Sequence, residues 1–277
     1  MFNKLGVMQG RLLPKYRGRY QAHPVGYWQT EFTIAQIMGL QLIEWILDFN
    51  EAAQNPIMHP AGLEAIKAWS DRTGVRVRTV CADYFMEAPL HDENSQNAAQ
   101  SLRILIQLLK NAKQLGVTDI VIPCVDQSRL RTETDLIRFV HNIDPARDLA
   151  ETLEINLALE TDLPPEPFLA LLNALNSLRF TVNYDTGNSA ALGYDPVVEL
   201  ATYGERISDI HLKDRRQGGG PVELGAGAVN FERFFNALKT IDYHGPFIMQ
   251  AFRDDEGVAV FRRQLEWIIP RLTQWIG

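Results

Sequence analysis

Eight short apolar runs alternate along the chain with longer segments in which apolar residues recur at the helical period. The runs cover residues 5–9, 42–47, 75–85, 119–125, 155–161, 180–186, 207–213 and 246–252. We therefore predict eight strands, each followed by helical structure. Repeated over 277 residues, this order is typical of the α/β class and of a single (β/α)₈ TIM barrel.

Signals at the helix ends agree with this order. From Gln100 to Leu115 the apolar residues keep the i, i+3, i+4 spacing of a buried stripe, and Gly116 follows as a predicted C-cap. Asp195 precedes a proline, the pattern of an N-cap and a first helical position. A doubly wound open sheet is the alternative, but no G-x-G-x-x-G follows the first run and no P-loop motif occurs. No linker interrupts the chain, so we expect one barrel domain over residues 1–277.

Composition and charge narrow the classes of function. The chain is 46% hydrophobic and 22% charged, and its net charge of −7 argues against a nucleic-acid-binding surface. Cys81 and Cys124 each lie in an apolar run, so we predict buried free thiols, which suit a reducing compartment. No segment approaches the ~18 apolar residues of a membrane span, and residues 1–12 lack a signal-like core. We expect a cytoplasmic protein with neither a membrane nor a nucleic-acid partner.

Four polar residues stand where the last four apolar runs end: Glu160, Asp185, His211 and Gln250. Strand ends meet at one rim of a barrel, and residues i and i+2 share a face. Two inward carboxylates and an imidazole are costly to bury without a cation or tight pairing. With the amide oxygen of Gln250, they are predicted to bind one divalent cation, for which Mn²⁺, Mg²⁺, Co²⁺ and Zn²⁺ are all candidates. The alternative is four separate rim residues, each in its own hydrogen bond or salt bridge.

Four segments, LALET, VNYDTGN, DIHLKDR and GAGAVNF, resemble the sugar phosphate isomerase/epimerase superfamily of xylose isomerase-like TIM barrels. That superfamily includes ketose 3-epimerases, hydroxypyruvate isomerase and inosose dehydratase, and the resemblance is firm from about residue 155 onward. It implies one divalent ion held by a Glu, an Asp, a His and a second Glu, of which the first three match Glu160, Asp185 and His211. In the epimerases the ion holds the substrate carbonyl and the adjacent hydroxyl. One Glu then removes a proton, and the other returns it to the opposite face of an enediolate.

Gln250 departs from this pattern at the second Glu. An amide oxygen can coordinate a cation, but it cannot accept or donate a proton at neutral pH. Glu160 remains the predicted base. One-base isomerisation, dehydration and a second acid elsewhere all stay open. The candidates for that acid lie near the ends of early strands: Glu44, Asp83, His91 and Asp126.

Further polar residues near the strand ends are predicted to bind substrate. Lys213 and Arg215 follow His211 at the end of the seventh run, whereas Gln9 and Glu44 lie at the first and second. The glycines Gly218–Gly220 and the helix predicted to start at Asn230 would suit a phosphate or a carboxylate. The alternative is a mobile loop whose basic residues are solvated.

The leading functional hypothesis is a divalent-metal-dependent isomerase or epimerase. It would act on a small sugar, a sugar phosphate or a polyol through an enediolate. One alternative is a metal-dependent dehydratase on a cyclic polyol or a dehydroshikimate-like acid. Another is a non-catalytic sugar-binding barrel that lacks the second base. Resemblance also suggests a homo-oligomer.

Overall fold

Eight parallel strands close into a barrel in the computed structural model, which describes residues 4–276. The barrel strands are Leu5–Met8 (β1), Leu42–Ile46 (β2), Arg76–Cys81 (β3), Asp119–Cys124 (β4), Asn156–Thr161 (β5), Phe180–Asp185 (β6), Ile207–Leu212 (β7) and Phe247–Met249 (β10). Their order around the barrel is β1–β10–β7–β6–β5–β4–β3–β2. A short antiparallel hairpin, Asp214–Arg215 (β8) with Pro221–Val222 (β9), follows β7. The predicted TIM barrel is confirmed.

Helices cover the outside of the barrel. They are Gln29–Ile37 (α1), Pro60–Thr73 (α2), Tyr84–Glu87 (α3), Ser95–Leu115 (α4), Glu133–Leu153 (α5), Pro165–Ala174 (α6), Thr186–Leu192 (α7), Pro196–Tyr203 (α8), Phe231–Leu238 (α9) and Val258–Ile276 (α10). None of these helices, within the part of the chain that the structure describes, is long and apolar enough to cross a membrane.

The predicted helix ends are present at the expected residues. Gly116 ends α4 in the left-handed region at φ +73°, and the Asp195 side chain accepts a hydrogen bond from the amide of Val197 at the start of α8. Helix α4 begins five residues earlier than predicted, because the Asn94 side chain accepts a hydrogen bond from the Gln96 amide and caps it there.

All eight predicted strands are longer than the observed ones, and two of them extend three or more residues beyond the observed carboxyl end. Residues 84 and 85, predicted as strand, begin α3, because the Tyr84 amide bonds back to the Leu47 carbonyl instead of continuing the ladder. Strand β10 ends at Met249, so Gln250 is the first residue beyond it. The second change places the polar side chain of Gln250 just beyond the sheet, in the lining of a cavity.

The barrel interior is a small apolar layer, separate from the core between strands and helices. Its members are Met8, Leu42, Ile46, Cys81, Val121, Ala158 and Ile248. Because alternate residues share a face, Glu160 continues the inward row of Ala158, and Gln250 that of Ile248. Cys81 and Cys124 are buried free thiols, as predicted.

Candidate functional site

Glu160, Asp185 and His211 converge at the carboxyl ends of three neighbouring strands. Each offers one ligand atom, and these atoms lie within 4.8 Å of one another. Asp185 on β6 and His211 on β7 are paired in the strand register. All three side chains are buried. The structure therefore brings together three of the four residues predicted to bind a cation.

His211 is held in one orientation by its two hydrogen-bond partners. The Asn183 amide donates to Nδ1 at 3.1 Å, and Nε2 lies 3.1 Å from both carboxylate oxygens of Glu44. Nδ1 therefore accepts a hydrogen bond and Nε2 carries the proton. A carboxylate behind a histidine fixes the ring in this way at many metal sites. Nδ1, on the side of Glu160 and Asp185, is the nitrogen suited to bind a cation.

Glu160 is buried among polar partners. The amides of Asn183 and Asn188 donate to its two carboxylate oxygens. Burial raises the pKa of Glu160 to about 7, and the nearby Asp185 carboxylate also raises it, while His211 and Lys213 lower it. A carboxylate with a pKa near neutrality is suited to accept a proton from substrate.

Asp185 joins the site to the next helix. One carboxylate oxygen accepts a hydrogen bond from the backbone amide of Asn188 at 2.8 Å and so caps α7. The other oxygen lies 3.2 Å from Lys213 Nζ. The glycine of the DTGN segment allows this approach, since a Cβ on Gly187 would lie 2.8 Å from Lys213 Cγ. The ion pair with Lys213 offsets the charge of one of the two neighbouring carboxylates.

Gln250 has an unpaired side-chain oxygen. Its Nε2 donates to Gln21 Oε1 at 3.2 Å, whereas its own Oε1 is buried and accepts no hydrogen bond from the described residues. A buried acceptor without a donor is rare and costly. Gln250 and Glu160 line the same cavity. Two carboxylates, an imidazole nitrogen and a free amide oxygen are a suitable ligand set for a hard or borderline divalent cation.

A cavity of about 400 Å³ is lined by Glu160 and Gln250, whereas Asp185 and His211 are buried outside its lining. It is strongly polar, with charged side chains of both signs. The acidic members are Asp48, Asp83, Glu87, Asp126 and Glu160, and the basic members are Arg11, Arg19, Lys213 and Arg215. Its volume fits a small molecule, and its many donors and acceptors suit a polyhydroxy compound.

The structure separates the four residues predicted to contact substrate into two pairs. Lys213 and Arg215 line the cavity. Glu44 and Gln9 are 0% and 1% exposed and lie outside its lining. Glu44 bonds to His211 and Thr79, and Gln9 accepts the amide of Ile46. Substrate contact through this second pair remains a prediction.

The glycine-rich loop before Asn230, which was predicted to contribute to an anion site, binds a carboxylate of the protein itself. The amides of Gly225, Gly227 and Val229 donate to the buried carboxylate of Asp214 at 2.9–3.1 Å. A Cβ on Gly227 would lie 2.2 Å from an Asp214 oxygen, so only glycine fits there. These amides are therefore not free for a phosphate. Gly218–Gly220 belong to the turn of the β8–β9 hairpin.

A second acidic layer lies below His211. Glu44, Asp209 and His211 form another group of neighbouring ligand atoms, all fully buried. Burial raises the pKa of Glu44 and of Asp209 well above the usual range, and each carboxylate raises that of its neighbours further. Neither Asp209 oxygen has a conventional donor among the described residues. A protonated carboxyl group is therefore favoured on Asp209, whereas Glu44 accepts hydrogen bonds from His211 and Thr79.

Three site residues were missed in the sequence. Asn183 shares a strand face with Asp185, and Asn188 lies three residues after an N-cap, so strand parity and the helix start could have indicated both. Gln21 had no such signal, because it meets Gln250 and Asp83 across 229 and 62 residues of sequence.

We predict that cation binding releases a proton. In the metal-free protein Glu160 has a pKa of about 7, so below that pH a cation must displace its proton. Affinity for Mn²⁺ should fall about tenfold per pH unit below 7 and level off above it. Calorimetry in two buffers of different ionisation enthalpy measures the proton count. Equal affinity at pH 5.5 and pH 8 would contradict the assignment of Glu160 as a ligand.

Comparison with known proteins gives consistent similarities. The family model described as xylose isomerase-like TIM barrel matches residues 32–271. L-ribulose-5-phosphate 3-epimerase UlaE of Salmonella typhi is 27% identical over 267 residues, which cover 92% of this chain and 93% of the relative. D-psicose 3-epimerase, solved in the presence of D-fructose, superposes with a TM-score of 0.74 at 18% identity, covering 96% of this chain and 98% of that one. The IolI protein, solved with a zinc atom, gives 0.76 at 15% identity, covering 99% and 98%. The two structural likenesses concern the fold alone.

Proposed function

The chain belongs to the family of xylose isomerase-like TIM barrels, and from this premise we propose that it is a divalent-metal-dependent isomerase or epimerase of a small sugar. The observation that carries the proposal is the convergence of Glu160, Asp185 and His211 at the rim, beneath a polar cavity of about 400 Å³. The L-ribulose-5-phosphate 3-epimerase among its relatives supports the reaction class.

In this proposal Glu160, Asp185 and His211 hold the cation, and the oxygen of Gln250 completes the set. A bound divalent ion polarises a carbonyl and stabilises negative charge on its oxygen. Glu160 removes a proton from the carbon beside that carbonyl. Asn183 and Asn188 keep its carboxylate directed at the cavity, and Lys213 limits the charge repulsion from Asp185.

Hydrogen exchange at the substrate carbon tests the proposal directly. The protein is incubated in D₂O with Mn²⁺ and a panel of free ketoses and their phosphate esters, and deuterium incorporation is followed by NMR. We expect incorporation next to the carbonyl of at least one ketose, with or without inversion. A protein that binds Mn²⁺ but exchanges no hydrogen in the whole panel would rule out an enediolate enzyme.

The side-chain amide of Gln250 supports one second candidate function, a metal-dependent dehydratase. Because an amide does not transfer protons at neutral pH, a site with Glu160 as its sole base suits metal-assisted dehydration of a cyclic polyol or a related acid. Loss of water would yield an enone that absorbs in the ultraviolet. Appearance of that absorbance, without isomerised sugar, would select the dehydratase.

We predict that Gln250→Glu strengthens cation binding, because a carboxylate replaces a neutral oxygen next to the ion. Gln250→Met, which removes the oxygen at similar size, should weaken binding. Calorimetry with Mn²⁺ measures both, and a change of about tenfold or more in each direction is expected, since loss of even an outer partner of a ligand costs 10- to 100-fold. Unchanged affinity in both variants would place Gln250 outside the cation's ligands. Sugar turnover that appears only in Gln250→Glu would favour the non-catalytic sugar-binding barrel instead.

A further inference from the structure

Inversion at a carbon needs proton-transfer groups on both faces of the substrate, and Gln250 cannot be one of them. Its side chain instead begins a hydrogen-bonded chain. Gln250 Nε2 donates to Gln21 Oε1 at 3.2 Å, and Gln21 Nε2 donates to Asp83 Oδ2 at 2.7 Å. Arg11 Nη2 also donates to Gln21 Oε1, at 2.7 Å, which fixes the direction of the Gln21 amide. This series of hydrogen bonds therefore links Gln250 to the carboxylate of Asp83 through one intervening side chain, Gln21.

Asp83 lies on the inner side of the barrel rim. Cys81, two residues earlier, is part of the apolar layer inside the barrel, and Asp83 follows the end of β3 and lines the cavity. The Cys81 thiol donates to Asp83 Oδ1 at 3.2 Å. Burial raises the pKa of this thiol, and the carboxylates of Asp83, Glu44 and Glu160 raise it further. Asp83 and Glu160 thus lie near the same sulfur atom, and both line the cavity.

The surroundings of Asp83 allow it to hold a proton. Its two hydrogen-bond donors, an amide and a thiol, are neutral, and it forms no salt bridge within residues 4–276. Burial raises the pKa of Asp83, the nearby Asp48 carboxylate also raises it, and Arg11 lowers it. A carboxyl group in such a place can alternate between its acid and base forms.

The other carboxyl groups in or near the cavity are less suited to exchange a proton with a substrate. Asp48 lies 3.4 Å from Arg19 and accepts the His23 amide. Glu87 is exposed and accepts from Gln127. Glu44 lies below His211 and does not line the cavity. Asp126 lines the cavity but is exposed. Among these carboxyl groups of the described residues, Asp83 is the one that lines the cavity and is neither ion-paired nor exposed.

We propose that Asp83 is the second acid/base residue, acting on the substrate face opposite Glu160. The inference rests on the proposed function and narrows it to two-base epimerisation of a ketose. Glu160 accepts the proton, the C–H electron pair enters the C=C bond of the enediolate, and negative charge moves to the former carbonyl oxygen. Asp83 then donates its proton to the other face, the carbonyl reforms, and Asp83 is left as a carboxylate. Exchange with solvent restores both groups, so no oxidant or reductant is needed.

Asp83→Asn tests the proposal by separating inversion from exchange. In D₂O with saturating Mn²⁺, we expect inversion of the responsive ketose to fall about 100-fold or more. Deuterium exchange without inversion, which needs only Glu160, should persist in the starting epimer. Asp83→Glu should recover part of the inversion. Asp195→Asn, the same change at a residue that does not line the cavity, should leave both rates unchanged.

Each outcome has a defined meaning. Inversion by Asp83→Asn at the wild-type rate overturns the role of Asp83 and leaves the proposed function intact. Equal loss of inversion and exchange, with Mn²⁺ still bound, overturns it as well, because Asp83 would then act only by positioning other groups. Absence of exchange in the wild-type protein with Mn²⁺ bound overturns both the proposed function and this assignment.

Discussion

Replacing Asp185 by asparagine is expected to weaken Mn²⁺ binding by about 100-fold or more, since loss of even an outer partner of a ligand costs 10- to 100-fold. The substitution removes one of two charged ligands but keeps the shape of the side chain. It also keeps the N-cap of α7, because asparagine caps helices as well as aspartate does. The fold should therefore survive while the affinity is lost.

Calorimetry with Mn²⁺ and thermal unfolding without metal, on the same preparations, measure the two effects separately. Asp195→Asn is a matched control, because Asp195 caps α8 in the same manner but does not line the cavity. We expect wild-type Mn²⁺ affinity in the control. Wild-type affinity in Asp185→Asn would show that Glu160, Asp185 and His211 do not form a cation site.

The barrel could be predicted from the sequence because its signals are local. Each strand is an apolar run, and end signals such as Gly116 and the Asp195–Pro196 pair stand at fixed positions beside the helices. Glu160, Asp185 and His211 were predicted from the same information. Parallel strands put their carboxyl ends on one rim, so a residue's place in its strand also places it in space.

The contacts that decide proton transfer could not be predicted in this way. Asp83 was among the candidate acids because of its position near the end of a predicted strand, but the sequence did not rank it above Asp126 or His91. Its link to Gln250 passes through Gln21, on a loop after β1, and depends on side-chain directions that no local pattern specifies. The backbone amides of Gly225 and Gly227 could not be assigned either, because the sequence alone did not show that they donate to Asp214.

Glu160→Gln is expected to lower hydrogen exchange at the substrate carbon by about 10³-fold, within the range for loss of a general base. Glutamine has nearly the same size, and its amide oxygen can still face the cation, so the loss should come from the missing proton acceptor. Asn183 and Asn188 now donate to both carboxylate oxygens. The variant's amide nitrogen cannot accept such a bond, which adds a local rearrangement to the loss of the base.

The rate must be measured at Mn²⁺ concentrations that saturate the variant, because its affinity will also be lower. Under these conditions the two variants should be distinguishable. Glu160→Gln should bind Mn²⁺ without exchanging hydrogen at the substrate carbon, whereas Asp185→Asn should bind Mn²⁺ only weakly. Asp83→Asn gives a third pattern, in which exchange continues and inversion stops. If saturated Glu160→Gln exchanged hydrogen at the wild-type rate, Glu160 would be a ligand but not the base, and the base would have to be sought among the other carboxyl groups of the cavity.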